Sequence, residues 1–164
     1  MTGIVFNKEE ELVSFPRVER KVWREGNLVC KTDPLKLDKN WKKRMEEILS
    51  IWSLPAFCGF IENGYVTKYI QEGDLQGNVP FTMDDKLVKV VVGYEVRIKT
   101  IPIFASAITV GERLGYTLGD ITCGNMLYDE MGVYLVDFEV IIPYPLSGSY
   151  INIWKNTLNL IWGD

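Results

Sequence analysis

Short runs in which apolar and polar residues alternate fill the first part of the chain, and this period-two pattern predicts strands. The predicted strands are 12–15, 18–23, 28–30, 57–61 and 65–70. Turn sequences lie between neighbouring strands: Glu25-Gly26-Asn27 between the second and third, and Glu62-Asn63-Gly64 between the last two. Strands joined by such short turns pair in antiparallel fashion, so the pattern indicates a small antiparallel sheet.

Helical spacing of apolar residues occurs between the two predicted hairpins and again in the second half of the chain. The first helix is predicted at 38–53, with Asp38 as its N-cap. Its apolar positions are Trp41, Met45, Ile48, Leu49 and Trp52. Further helices are predicted to begin at the capping-box sequence 82–85, at Thr100 ahead of a first-turn proline, and at Ser149.

Composition narrows the class of protein. A chain of 164 residues with 47% hydrophobic composition buries one core, so we expect a single α+β domain over 1–164. The net charge of −4 and the lack of a long apolar run argue against nucleic acid and membrane as partners. The odd, widely spaced set Cys30, Cys58 and Cys123 indicates reduced thiols and a cytoplasmic location. The chain has no histidine, which excludes catalysis by imidazole.

Chemistry-bearing side chains concentrate in the stretch 118–139. Asp120 and Asn125 lie five residues apart in a turn-rich segment. A predicted hairpin follows, with strands at 126–128 and 133–136, and Asp137 comes directly after it. Carboxylate and amide oxygens are the ligands that Mg²⁺ prefers, and phosphoryl transfer also needs a separate carboxylate to orient the attacking hydroxyl. The spacing is therefore suited to transfer of a phosphoryl group.

These residues resemble the motifs of the protein-kinase-like superfamily. Asp120-x-x-x-x-Asn125 resembles its catalytic loop, and Asp137-Phe138-Glu139 resembles its metal-binding triplet. The surrounding sequence is most similar to the aminoglycoside phosphotransferase and choline kinase branch, and to small atypical kinases of the RIO type. The similar segments are GDITCGNMLYDE and YLVDFE. Where family members usually carry histidine, two residues before the catalytic aspartate, this chain has Leu118.

The resemblance implies a minimal two-lobe fold of the kinase type. Its first lobe would be a small antiparallel sheet with one helix, and its second would be mainly helical with a catalytic β-hairpin. We place the first lobe and the hinge at 1–75 and a truncated second lobe at 76–164. Leu28-Val29-Cys30-Lys31 resembles the strand whose lysine binds the α- and β-phosphates. The helix at 38–53 would then supply the glutamate that pairs with Lys31, and we prefer Glu46 over the alternative Glu47.

The sequence 65–75 resembles the strand and hinge that hold adenine in kinases. By that resemblance Thr67 is the gatekeeper, Lys68 and Ile70 supply hinge backbone groups, and Asp74 meets the ribose. The segment 16–21, where a glycine-rich phosphate loop is expected, contains no glycine. Phosphates in this chain would therefore be held without that loop.

The function expected on these grounds is ATP- and Mg²⁺-dependent phosphoryl transfer to an unidentified hydroxyl acceptor. Asn125 and Asp137 would ligate Mg²⁺, and Asp120 would orient the acceptor. The alternative is a catalytically weak or inactive, pseudokinase-like module that binds a nucleotide or a protein. The C-terminal apolar residues are expected to serve either as core or as a face for a protein partner or a second copy of the chain. They are Ile141, Ile142, Trp154 and Trp162.

Overall fold

Strands dominate the first part of the chain and helices the second. The structure is a computed structural model and describes residues 10–14, 20–71, 73–75 and 93–163. The elements, in chain order, are β1 Glu10–Ser14, β2 Lys21–Glu25, β3 Leu28–Thr32, α1 Lys39–Ile51, β4 Phe57–Ile61, β5 Gly64–Lys68, β6 Gly73–Asp74, α2 Tyr94–Ile98, α3 Ile101–Leu114, β7 Tyr116–Leu118, β8 Met126–Tyr128, β9 Val133–Leu135, β10 Ile141–Pro143 and α4 Gly148–Trp162.

Within the described residues, the first lobe is built on an antiparallel sheet with strand order β1-β2-β3-β5-β4. The strand β3 lies in its interior, where Lys31 pairs with Val22 on one side and with Tyr65 on the other. Gly26 has a φ of +58° in the β2–β3 turn, a conformation that glycine adopts without steric cost. An interior strand is held by neighbours on both edges, so the backbone of Lys31 is firmly placed.

The helix α1 packs its apolar stripe against this sheet. Its N-cap is Asp38, as predicted, and the Asp38 carboxylate accepts a hydrogen bond from the Trp41 backbone N–H at 2.9 Å. Trp41, Met45 and Ile48 are the buried residues of the helix, and their spacing places them on one face. This burial fixes which residues of α1 face the site and which face solvent.

The second lobe combines helices with short strands. The helix α3 leads into β7, the strand that precedes Asp120. It ends at Gly115 in a left-handed conformation with a φ of 80°, as the sequence predicted. Small strand pairs follow: β7 with β10, and β8 with both β6 and β9. The β8–β9 hairpin was predicted, whereas the pairings of β6, β7 and β10 were not. The predicted helix cap at 82–85 lies outside the described residues. The boundary that we placed between the lobes at residues 75 and 76 borders on the same segment, and it stays a prediction.

The core is continuous between the two lobes, and Phe138 lies in it with no exposed surface. Two of the C-terminal apolar residues also belong to buried structure: Ile142 is 4% exposed and Trp154 is 5% exposed. Core packing therefore explains these two, while Trp162 remains 37% exposed at the end of α4.

Cys30, Cys58 and Cys123 are all free thiols, and burial raises the pKa of Cys30 to about 12. Among the residues that the structure describes, no helix combines the length and the apolar character needed to cross a bilayer.

Candidate active site

Lys31 lies at the centre of a charged cluster between the sheet and the segment after β9. Its ammonium nitrogen is 2.7 Å from Glu139 Oε1 and 3.6 Å from Asp137 Oδ1, and its side chain is only 14% exposed. Burial alone lowers the pKa of a lysine, but here Tyr65, Asp137 and Glu139 outweigh burial and raise the pKa of Lys31. The ammonium group therefore stays charged at any physiological pH.

Glu139 is the main counterion of Lys31. Its side chain is 4% exposed, and it also accepts a hydrogen bond from Arg20 Nη2 at 3.2 Å. Two cations thus meet one buried carboxylate. Buried charges of this kind persist only when they are paired and hydrogen-bonded, which the geometry provides.

The predicted pair between Lys31 and Glu46 does not form, and Glu47 does not replace it. Glu46 is exposed on α1, because it follows the buried Met45 and successive helical residues are about 100° apart around the axis. Glu47 accepts a hydrogen bond from the hydroxyl of Tyr116 instead. Burial, together with this bond, raises the pKa of Tyr116 to about 12. The prediction of Glu46 as the partner of Lys31 was therefore wrong, and Glu139 takes that position.

The ion pair between Lys31 and Glu139 should contribute to the stability of the protein. Glu139→Gln should lower the free energy of unfolding by about 3 kcal/mol, because Lys31 and Arg20 lose the buried carboxylate that they share and, among the described residues, only the more distant Asp137 remains beside Lys31. Glu46→Gln is the matched control and should change it by less than about 0.5 kcal/mol, as is usual for an exposed side chain. Urea denaturation of both variants measures the difference. Equal effects would contradict the pairing.

The carboxylate of Asp120 lies in the loop between β7 and β8, which includes a short 3-10 turn at Cys123–Asn125. Asn125 Nδ2 donates to the backbone oxygen of Asp120 at 3.0 Å, and the Val136 N–H donates to the backbone oxygen of Asn125 at 3.1 Å. These bonds tie the loop to the segment that carries Asp137. Burial raises the pKa of Asp120, and the negative charge of Asp137 raises it further.

The oxygen atoms of this site fit Mg²⁺. Asp137 Oδ1 is buried and has no hydrogen-bond donor among the described residues. The amide nitrogen of Asn125 is already used, which leaves its side-chain oxygen as the group available to a metal. No group of three or more metal-binding side chains occurs in the described part of the chain. Phosphate oxygens would therefore complete the coordination shell, as is usual for Mg²⁺ in proteins.

The residues predicted to hold adenine and ribose follow β5. Thr67 is 5% exposed, and the Lys68 N–H donates to the backbone oxygen of Ala56 at 2.9 Å. The Lys68 N–H is therefore already used within the protein and is not available to an adenine. Ile70 is 2% exposed, and the backbone of Asp74 lies in β6 while its side chain is outside the described part of the chain. The adenine and ribose roles of these residues stay predictions.

Sequence reasoning missed Glu139 as the partner of Lys31, although a signal was present. Met45 belongs to the apolar stripe that predicted α1, and Glu46 follows it directly. The phase of that stripe turns Glu46 away from the sheet on which Lys31 lies. No comparable pattern in the sequence indicated that Arg20 would reach Glu139.

Comparison with known proteins supports the fold and no finer assignment. No family model matches the chain, and no curated protein sequence matches it. Among solved structures, the kinase PK-1 of Cydia pomonella granulovirus aligns with a TM-score of 0.52 and 16% identity. The alignment covers 84% of this chain and 54% of that kinase, so the chain spans about half of its length. The chain thus has a minimal, two-lobe, kinase-like fold.

Proposed function

We propose that the protein is an ATP- and Mg²⁺-dependent phosphotransferase that transfers the γ-phosphoryl group of ATP to a hydroxyl acceptor. The observation that carries this proposal is the meeting of Lys31 and Asp137, whose charged atoms are 3.6 Å apart although the residues belong to different lobes. Asp120 and Asn125 lie in the adjoining loop. A buried cation beside hard oxygen ligands is the arrangement that a triphosphate with its metal requires.

Each side chain has one role in this proposal. Lys31 would bind the α- and β-phosphates through its ammonium group. Asn125 and Asp137 would hold Mg²⁺, whose chemistry there is to neutralise phosphate charge. Asp120 would orient the acceptor hydroxyl and accept its proton as the oxygen attacks phosphorus. The bond from phosphorus to the bridging oxygen of ADP breaks, and ADP leaves with that electron pair.

The raised pKa of Asp120 supports its role. A carboxylate that ionises less readily than usual binds a proton more strongly, so it is a better proton acceptor in the transfer step. The acceptor itself belongs to a chemical class with a free hydroxyl group: a sugar, a choline-like alcohol, an aminoglycoside, a lipid or a protein side chain.

Transfer of label from γ-labelled ATP to a panel of these acceptors tests the proposal. We expect Mg²⁺-dependent transfer to at least one class, with Asp120→Asn as the inactive control. The second candidate is a module that binds nucleotide without turnover, favoured by the 2.7 Å contact with which Glu139 already neutralises Lys31. Mg²⁺-dependent ATP binding without transfer to any acceptor would identify that module. No binding at all would contradict both.

A further inference from the structure

Trp41 and Trp154 each donate an indole N–H to a backbone carbonyl of the candidate site. Trp41 Nε1 donates to the Phe138 oxygen at 2.9 Å, and Trp154 Nε1 donates to the Gly119 oxygen at 2.9 Å. The two tryptophans are 6% and 5% exposed, so water does not compete for these bonds. One carbonyl directly follows Asp137 in the chain, and the other directly precedes Asp120.

The Phe138 peptide groups are fixed from the sheet lobe. Besides the bond from Trp41, the Phe138 N–H donates to the hydroxyl of Tyr65 at 3.3 Å. The Phe138 ring has no exposed surface and packs edge-on against the rings of Phe57 and Tyr65. Rotation of the segment that carries Asp137 and Glu139 would break both hydrogen bonds within the core, where no water replaces them.

The Gly119 peptide groups are fixed from the second lobe. The Gly119 N–H donates to the Val140 oxygen at 2.9 Å, while its carbonyl accepts the bond from Trp154. A β-carbon at position 119 would lie 2.7 Å from the side chain of Ile142, so the loop approaches β10 as closely as a glycine allows. The Trp154 ring is held in turn by edge-on contact with Phe104 of α3, with centroids 5.6 Å apart.

We infer that Trp41 and Trp154 are positioning residues that act on separate halves of the site. Trp41 places Asp137 and Glu139, and so sets the affinity for the metal–nucleotide complex. Trp154 places Asp120, and so sets the rate of turnover. The inference rests on the proposed function for its kinetic part, while the positioning itself is a property of the protein alone.

The test compares Trp41→Phe and Trp154→Phe with a matched control, Trp52→Phe. Trp52 is 6% exposed in the same core, and its indole donates to no residue that the structure describes. In hydrogen exchange without nucleotide, Trp41→Phe should speed exchange at the Phe138 amide about tenfold, and Trp154→Phe should do so at Gly119. Trp52→Phe should do neither.

Kinetics separate positioning from general stability. Trp41→Phe should raise KM for ATP with Mg²⁺ about tenfold and leave kcat within about threefold. Trp154→Phe should lower kcat about tenfold and leave KM within about threefold. Equal changes in both variants, or changes no larger than in Trp52→Phe, would overturn the inference. If Trp41→Phe does not fold, Tyr65→Phe takes its place, because it removes the hydroxyl that accepts from the Phe138 N–H and should likewise raise KM.

Failure of the proposed function has a different signature. Wild-type protein that neither binds ATP nor transfers phosphate would refute that function. The exchange data would still decide the positioning claim: segment-specific loss of protection supports it, and uniform exchange in all three variants overturns it.

Discussion

Asp137→Ala should abolish Mg²⁺-dependent ATP binding, with a loss of at least about a hundredfold in affinity, equal to about 2.7 kcal/mol. The reason lies in the position of the carboxylate. Asp137 Oδ1 is buried, lacks a hydrogen-bond donor among the described residues, and lies 3.6 Å from the Lys31 ammonium. It is thus a carboxylate oxygen without a hydrogen-bond donor in the described part of the chain, next to the lysine that we propose to bind the phosphates. Isothermal titration of ATP in the presence of Mg²⁺ measures the loss.

Three comparisons make that result specific. Asp137→Asn keeps the volume of the side chain and should lose Mg²⁺-dependent affinity as well, whereas Glu46→Gln should not. Without Mg²⁺, Asp137→Ala should bind ATP no more weakly than the wild type, because a carboxylate beside Lys31 repels unmetallated phosphates. If Asp137→Ala binds ATP with unchanged affinity in the presence of Mg²⁺, the assignment of Asp137 as a metal ligand is contradicted.

Asp120→Asn should lower kcat by about 10²–10⁴-fold and leave the affinity for ATP with Mg²⁺ within about threefold. A positioned proton acceptor contributes about that much to rate, and asparagine keeps the shape while losing the basicity. Single-turnover measurement with saturating ATP separates the chemical step from binding. Parallel loss of affinity and rate would instead assign Asp120 to the binding of the nucleotide.

The same variant should be more stable than the wild type at pH 7. Burial and the charge of Asp137 raise the pKa of Asp120 above its unfolded value, so the folded state is penalised wherever the carboxylate is ionised. The penalty is absent below the unfolded pKa and develops as the pH rises through the folded pKa. The gain in Tm of Asp120→Asn should therefore be present at pH 7 and vanish in acid. A lower Tm at pH 7 would contradict this.

Elements with many residues and strong caps were predictable from the sequence. The stripe through Met45, with Asp38 as N-cap, located α1, and Gly115 located the end of α3, because helix ends are set by local chemistry. The pairing of β7 with β10 was not predictable. Strands of three residues have too little alternation to detect, and their partners are chosen by the packing of distant segments.

In the site, too, features set by local sequence were predictable, whereas features set by the packing of distant segments were not. Sequence motifs identified Asp120, Asn125 and Asp137 as neighbours in the chain, and hydrogen bonds between their loops keep them close in the structure. The partner of Lys31 depends instead on how α1 is rotated against the sheet. That rotation turns Glu46 to solvent and leaves Glu139 to neutralise the lysine.

A thermal shift of the wild-type protein with ATP, measured with and without Mg²⁺, tests the proposed metal–nucleotide site most directly. At a ligand concentration of a hundred times Kd, binding should add about 2.7 kcal/mol and raise Tm by about 5–10 °C for a domain of this size. We expect this shift with Mg²⁺ and a much smaller one without it. No shift, or equal shifts in the two conditions, would contradict the claim that Lys31, Asn125 and Asp137 together hold a metal–triphosphate.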